Sequence, residues 1–144
     1  MVLKTYDPAQ VTVAIAGAIM SGYTDGTFVE ITRNDVSWNT VVGADGIVSR
    51  AKSNNRSGTL TLTLKQTSPS NDVLSGFLIA DELSNRGVFP VLVKDLSGTS
   101  IFFSAQAYIT QFATATFGKE IQDRTWTITL ADVDMLVGSN ATTN

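Results

Sequence analysis

The sequence predicts a mainly β domain of the α+β kind, with one helix packed against a sheet. Two runs alternate strictly: Thr59-Leu60-Thr61-Leu62-Thr63-Leu64-Lys65 and Thr125-Trp126-Thr127-Ile128-Thr129-Leu130. A period of two puts the apolar members on one face of a strand and the threonines on the other. A single stretch, Pro69 to Arg86, carries helix signals at both ends. The composition agrees, because only 16% of residues are charged against roughly 25% in a typical soluble domain. Small polar residues take that place, 19 Thr and 13 Ser, and the branched Cβ of threonine suits a pleated, half-buried surface.

Read in order, Val11, Val13 and Ile15 alternate with Thr12, Ala14 and Ala16 as a first strand. Phe28, Val29 and Ile31 form the next, continuing toward Val36 and Trp38. The Thr59–Lys65 strand is followed by the helix. There Ser68 is placed to cap, Pro69 suits the first helical position, and Asp72 lies in the first turn, where the helix dipole favours an anion. Leu74, Phe77 and Leu78 make the apolar stripe, widened by Val73 and Ala80 and extended by Leu83, and Gly87 and Pro90 are expected to end the helix. Val88 to Val93, Ile101 to Ala105 and Ala107 to Phe112 read as shorter strands before the last one, Thr125–Leu130. Asp25-Gly26, Asp45-Gly46 and Ser97-Gly98 supply the turns.

At 144 residues the chain fits one domain over 1–144, with no repeat or linker. Gly43 to Gly58 is polar, with only Ile47 and Val48 as large apolar groups, and reads as a long loop or hairpin tip outside the core. Gly138 to Asn144 reads as a flexible polar tail. Met1 to Gln10 lacks the apolar region of a secretory signal, and Val11 to Met20 is too short and too broken to cross a bilayer. No membrane association is therefore expected.

The chemistry available is narrow. There is no Cys and no His, which removes disulfides, thiolate chemistry, the common zinc ligand sets and every Ser-His-Asp or Cys-His arrangement. Gly118-Lys119 is followed by Glu120, with no glycine five residues earlier, so it is not a phosphate loop. Asp132 and Asp134 have the spacing that opens a calcium loop, but the third ligand and the turn glycine are missing. Glycoside hydrolysis needs only two acids and a cleft, yet Asp25 and Asp45 precede turn glycines, Asp72 starts a helix, and Asp81 and Glu82 point to different sides of it. No catalytic, cofactor or metal site is expected, and the chain is read as a non-enzyme.

A net charge of −3 gives no basic footprint for gripping nucleic acid. The basic residues Arg50, Lys52 and Arg56 cluster without an intervening acid. Alone they read first as a solvated loop tip, then as a small anion-binding patch, or as the complement of an acidic surface on a neighbouring subunit, such as one holding Asp132 and Asp134. Trp38 and Trp126 read as core or interface packing ahead of a sugar-stacking platform.

Several features together resemble the tail-tube proteins of contractile-tailed bacteriophages, which are related in architecture to bacterial secretion-tube proteins. They are the early strand ending in Gly22-Tyr23-Thr24-Asp25-Gly26, the polar segment Gly43–Gly58, the capped helix, Phe89-Pro90-Val91-Leu92-Val93-Lys94-Asp95, and the final strand Arg124–Leu130. The likeness spans most of the chain and rests on layout rather than a diagnostic motif.

That resemblance implies a β-sandwich or barrel-like domain with a flanking helix. It also implies a virion tail protein, made in the host cytoplasm, whose hexameric rings stack into a tube that delivers DNA. Sheath, baseplate and terminator proteins are the implied partners, and DNA passes without specific binding. Edge strands of neighbours would join into one inner barrel. Ile47, Val48, Arg50, Lys52, Arg56, Asp132 and Asp134 become candidates for contacts between rings or subunits, with the termini Met1 to Asp7 and Asp132 to Asn144 adding to them. Thr59, Thr61 and Thr63 become candidates for the lumen wall, where hydroxyls wet the surface without holding phosphates. A rival reading is a monomeric or trimeric β-sandwich carbohydrate-binding module, which would need an exposed tryptophan as its platform.

Overall fold

The computed structural model describes residues 3–139 and 142–143. In chain order, β1 (Lys4–Thr5) and a short 3-10 turn (Pro8–Gln10) precede β2 (Val11–Ile15), β3 (Ala18–Ile19), β4 (Val29–Arg33), β5 (Trp38–Val42) and β6 (Val48–Lys52). Then come β7 (Gly58–Lys65), α1 (Ser70–Ser84), β8 (Phe89–Asp95), β9 (Ile101–Ile109), β10 (Asp123–Leu130), β11 (Val133–Leu136) and β12 (Thr142–Thr143).

The two alternating runs are direct partners. β7 and β10 pair antiparallel over their whole length, setting Leu60 opposite Ile128, Leu62 opposite Trp126 and Thr61 opposite Thr127. A slip of one residue would turn every leucine to solvent, so burial itself pins the register. The pair sits inside one antiparallel sheet of order β3-β2-β8-β9-β10-β7-β4, with β11 also on β9. This sheet folds over its own apolar face. Ile31, Leu60 and Leu130 on one wall meet Val91, Val93 and Phe102 on the other across a small gap. The result is a mainly β, barrel-like sandwich, as the alternation implied. Leu60, Leu62 and Leu64 are fully buried at its centre, each contributing about 2 kcal/mol of transfer free energy.

Helix α1 closes the end of the sandwich nearest Lys65. Leu74 and Leu78 are buried, and the Phe77 ring lies 4.7 Å from that of Phe89. Trp126 is only 2% exposed, and its indole N–H donates to Asn71 Oδ1 at 2.9 Å. A sugar platform at Trp126 is thereby ruled out. Among the described residues no helix is long and apolar enough to cross a membrane.

Three boundaries differ from the sequence reading, each for a local reason. Ser68 does cap, since its hydroxyl accepts from the N–H of Ser70 and Pro69 already has helical angles. At the other end the left-handed residue is Asn85 (φ 58°), which stops α1 before Arg86. Gly87 serves close approach instead: a Cβ there would lie 2.3 Å from Asp81 Cβ. The segments read as strands at Ile101–Ala105 and Ala107–Phe112 are one strand, β9, ending at Ile109. A bulge puts two residues, Ala105 and Gln106, between Ser104 and Ala107 against one, Pro90, between Val91 and Phe89, which resets the alternation without ending the strand.

The third difference is at Gly43–Gly58. Val48–Lys52 is a strand, β6, paired with β5, so only the short turn from Gly43 to Ile47 is a hairpin tip. At the C-terminus, Ser139 accepts from the N–H of Thr99, Gly138 donates to the Ser100 hydroxyl, and Thr142–Thr143 pairs with Lys4–Thr5. Of the tail and the termini read from sequence, Met1, Val2, Asn140, Ala141 and Asn144 lie outside the described residues.

Candidate functional site

The hairpin β5–β6 forms a two-stranded sheet separate from the main one. Asp45 shapes its tip by accepting from the N–H of Ile47, and Gly43 N–H donates to the Ile47 carbonyl. Pairing of Val42 with Val48, Thr40 with Arg50 and Trp38 with Lys52 puts these six side chains on one face. Arg50 stacks on Trp38, its guanidinium carbon 3.9 Å from the ring centroid. Val42 and Val48 are 62% and 64% exposed, and Ile47 64%. An isolated two-stranded hairpin is marginal in water. Here one carries apolar side chains and two cations, and every residue of both strands is exposed.

Its base is firmly fastened. Arg56 Nε donates to Asp132 Oδ1 at 2.9 Å, and its Nη2 forms a second bond to Asp134. Hydrogen bonding to Asp132, then its charge, holds the Arg56 guanidinium pKa above its ordinary value. The three groups are largely solvated, so the pairs orient the chain more than they stabilise it. The complementarity read between subunits is met by Arg56, Asp132 and Asp134 within one chain, whereas Arg50 and Lys52 have no carboxylate partner among the described residues. Beside this clamp, Val133 N–H donates to the Arg56 carbonyl and Arg33 Nη2 donates to the Val133 carbonyl at 2.7 Å. Gly58 lets the corner close, since a Cβ there would lie 2.7 Å from Val133 Cγ1. The base of the hairpin is thus joined to the β10–β11 corner.

The two walls of the sandwich present different outer surfaces. On the β4-β7-β10 wall, Thr59, Thr61 and Thr63 are half-buried on the face away from the core. The register places Thr129, Thr127 and Thr125 beside them on one side, and Thr32 and Glu30 on the other. This field of hydroxyls was visible only in part from sequence, because the pairing of two strands about sixty residues apart had to be known. On the opposite wall, Ile19, Leu92, Phe103 and Leu136 are exposed, and Ala14, Leu92 and Phe103 are lateral neighbours.

A cavity of about 810 Å³ opens between β4 and the β2–β8 wall, lined in part by Tyr23, Phe28, Phe102, Asp25 and Asp95. Burial raises the Tyr23 pKa above 10.0, and its hydroxyl donates to the Met20 carbonyl. Asp95 Oδ1 accepts from the N–H and hydroxyl of Ser97, closing the β8–β9 turn. Asp25 sits on an exposed bend. The cavity therefore holds one turn-forming carboxylate and one solvated one, not a converging acid pair.

The family model for the bacteriophage PhiTE tail tube protein matches residues 3–138. The chain belongs to that tail tube family. The structural protein ORF10 of Pseudomonas phage KPP10 is 33% identical over 145 residues, covering 95% of this chain and 84% of that one. Solved folds agree. The tube and sheath complex of an extracellular contractile injection system (PVC) gives a TM-score of 0.64 at 14% identity, covering 92% of this chain and 91% of that one. The tube-terminating cap of the anti-feeding prophage gives 0.62 at 12% identity, covering 94% and 93%. Family and relative identify a structural component of the virion tail, not an enzyme.

Proposed function

We propose that this tail tube chain assembles into hexameric rings that stack into the hollow tube through which genomic DNA leaves the virion. The observation that carries the reading is the projecting hairpin, which its own chain leaves uncovered and which belongs to a family of tube proteins. Ile47, Val48, Arg50 and Lys52 supply its contacts to neighbouring copies. The Arg56, Asp132 and Asp134 clamp holds it in position. The free edge of β4 pairs with a neighbouring subunit, which removes an aggregation-prone edge. The threonine wall faces the bore and the wall bearing Leu92 and Phe103 faces outward. Made in the host cytoplasm, the tube is surrounded by a sheath and closed by terminator and baseplate proteins. Among the solved neighbours, a sheath-tube complex and a tube-terminating cap support the sheath and terminator partners.

Electron microscopy of the purified chain tests the assembly. Rings or hollow tubes are the expected result, and uniform monomers at millimolar concentration, even with preformed tail ends as seeds, would sink it. The bore assignment has its own test. Thr61→Lys adds a cation to the middle of the threonine field, where it would grip passing phosphates in a salt-dependent way. Tubes of normal appearance with slowed DNA ejection are expected. Ejection at the unaltered rate would move Thr61 away from the lumen.

A further inference from the structure

Helix α1 has an outward face that its own chain does not explain. Val73 and Ile79 are exposed, Leu83 is 82% exposed, and Asp72 and Glu82 lie beside them, with no basic residue in the last turn. Neither carboxylate has an ion-pair partner among the described residues, where Arg56 makes both pairs. In the middle of this face stands Gly76. A Cβ added there would meet nothing within 4 Å, although glycine inside a helix costs about 1 kcal/mol relative to alanine. Nothing within the chain requires the missing methyl. A second backbone brought close to the helix would.

The hairpin has the opposite character: Val42, Val48 and Trp38 with Arg50 and Lys52, and no acid on that face. It also lies at the opposite end of the molecule. It leaves the sheet at the Arg33–Gly58 end of β7, whereas α1 follows the Lys65 end, and eight residues of strand separate the two by about 25 Å. The hairpin face from Val42 to Trp38 is about 14 Å long, close to the roughly 15 Å of helix between Asp72 and Glu82.

We infer that the outward face of α1 is the seat for the hairpin β5–β6 of another copy of this chain, one ring along the tube. The inference rests on the assembly proposed above and names the receiving surface. Because donor and acceptor lie at opposite ends, the contact is head-to-tail and propagates without closing. Apolar side chains meet over Gly76, while Arg50 and Lys52 reach the acidic helix.

Charge exchange tests the seat. Glu82→Lys and Lys52→Glu should each raise the protein concentration needed for tube growth by about tenfold, and the double variant should recover most of the loss. The absence of cysteine permits a second readout. Val48→Cys and Ile79→Cys in the same chain should give disulfide-linked ladders on oxidation of tubes, and each single variant should not. Tubes that form normally yet give neither charge rescue nor ladders would overturn the seat while leaving tube assembly standing. Failure of the unaltered chain to form tubes would remove both. If Glu82→Lys leaves tubes intact and abolishes only sheath attachment, the helix face belongs to a different partner and the inference falls.

Discussion

Changing Val42 and Val48 together to aspartate is expected to stop tube growth while leaving the melting temperature of the isolated chain unaltered. Both side chains are nearly two-thirds exposed and face each other across the hairpin, so the fold of the single chain gains little from them. Covering the remaining apolar area of two valines is worth about 2–3 kcal/mol per contact, which corresponds to roughly 30- to 150-fold in the affinity of each contact. Two carboxylates in the same place add the cost of stripping them of water. Thermal melting and electron microscopy of the same preparation separate the outcomes. Tubes at the usual concentration would show that the hairpin takes no part in assembly. A lowered melting temperature would mean that the valine pair packs on its own chain.

The hairpin also shows where sequence reading stops. The β7 and β10 runs were legible because each has a buried face, and the need to hide leucine, isoleucine and tryptophan prints a period of two. Val48-Ser49-Arg50-Ala51-Lys52 has no such imprint, since neither of its faces is covered by this chain. It therefore reads as polar loop. The partners of Arg56 were nameable as acids of the right kind, but only the register of β10 against β7, which brings Leu130 opposite Gly58, carries Asp132 and Asp134 to it. In β9 the bulge at Ala105–Gln106 breaks the alternation where the strand passes from β11 to β10, so one strand reads as two. The helix was recognisable by its apolar stripe and its Ser68 cap. Its opposite face carried no sequence signal distinguishing a solvated surface from a seat.

Replacing Asn71 by alanine should cost about 3 kcal/mol, a drop of roughly 10 °C in Tm. Asn71 is buried and joins three elements: its Nδ2 donates to the carbonyls of Lys65 and Ser68, and its Oδ1 accepts from Trp126. The two carbonyls keep other partners, the N–H of Ser68 and of Asn71 itself. The Trp126 indole N–H does not, and a buried donor left unmatched carries most of the penalty. Trp126→Phe removes that donor, so the double variant should be less destabilised than the sum of the two single ones. Urea melts of all four chains measure the coupling, expected at about 1–2 kcal/mol. Strict additivity would show that the bond contributes nothing to holding α1 on the sheet. The coupling matters beyond stability, because α1 presents the proposed hairpin seat. A helix loosened at Asn71 should raise the concentration needed for tube growth even at temperatures where the chain remains fully folded.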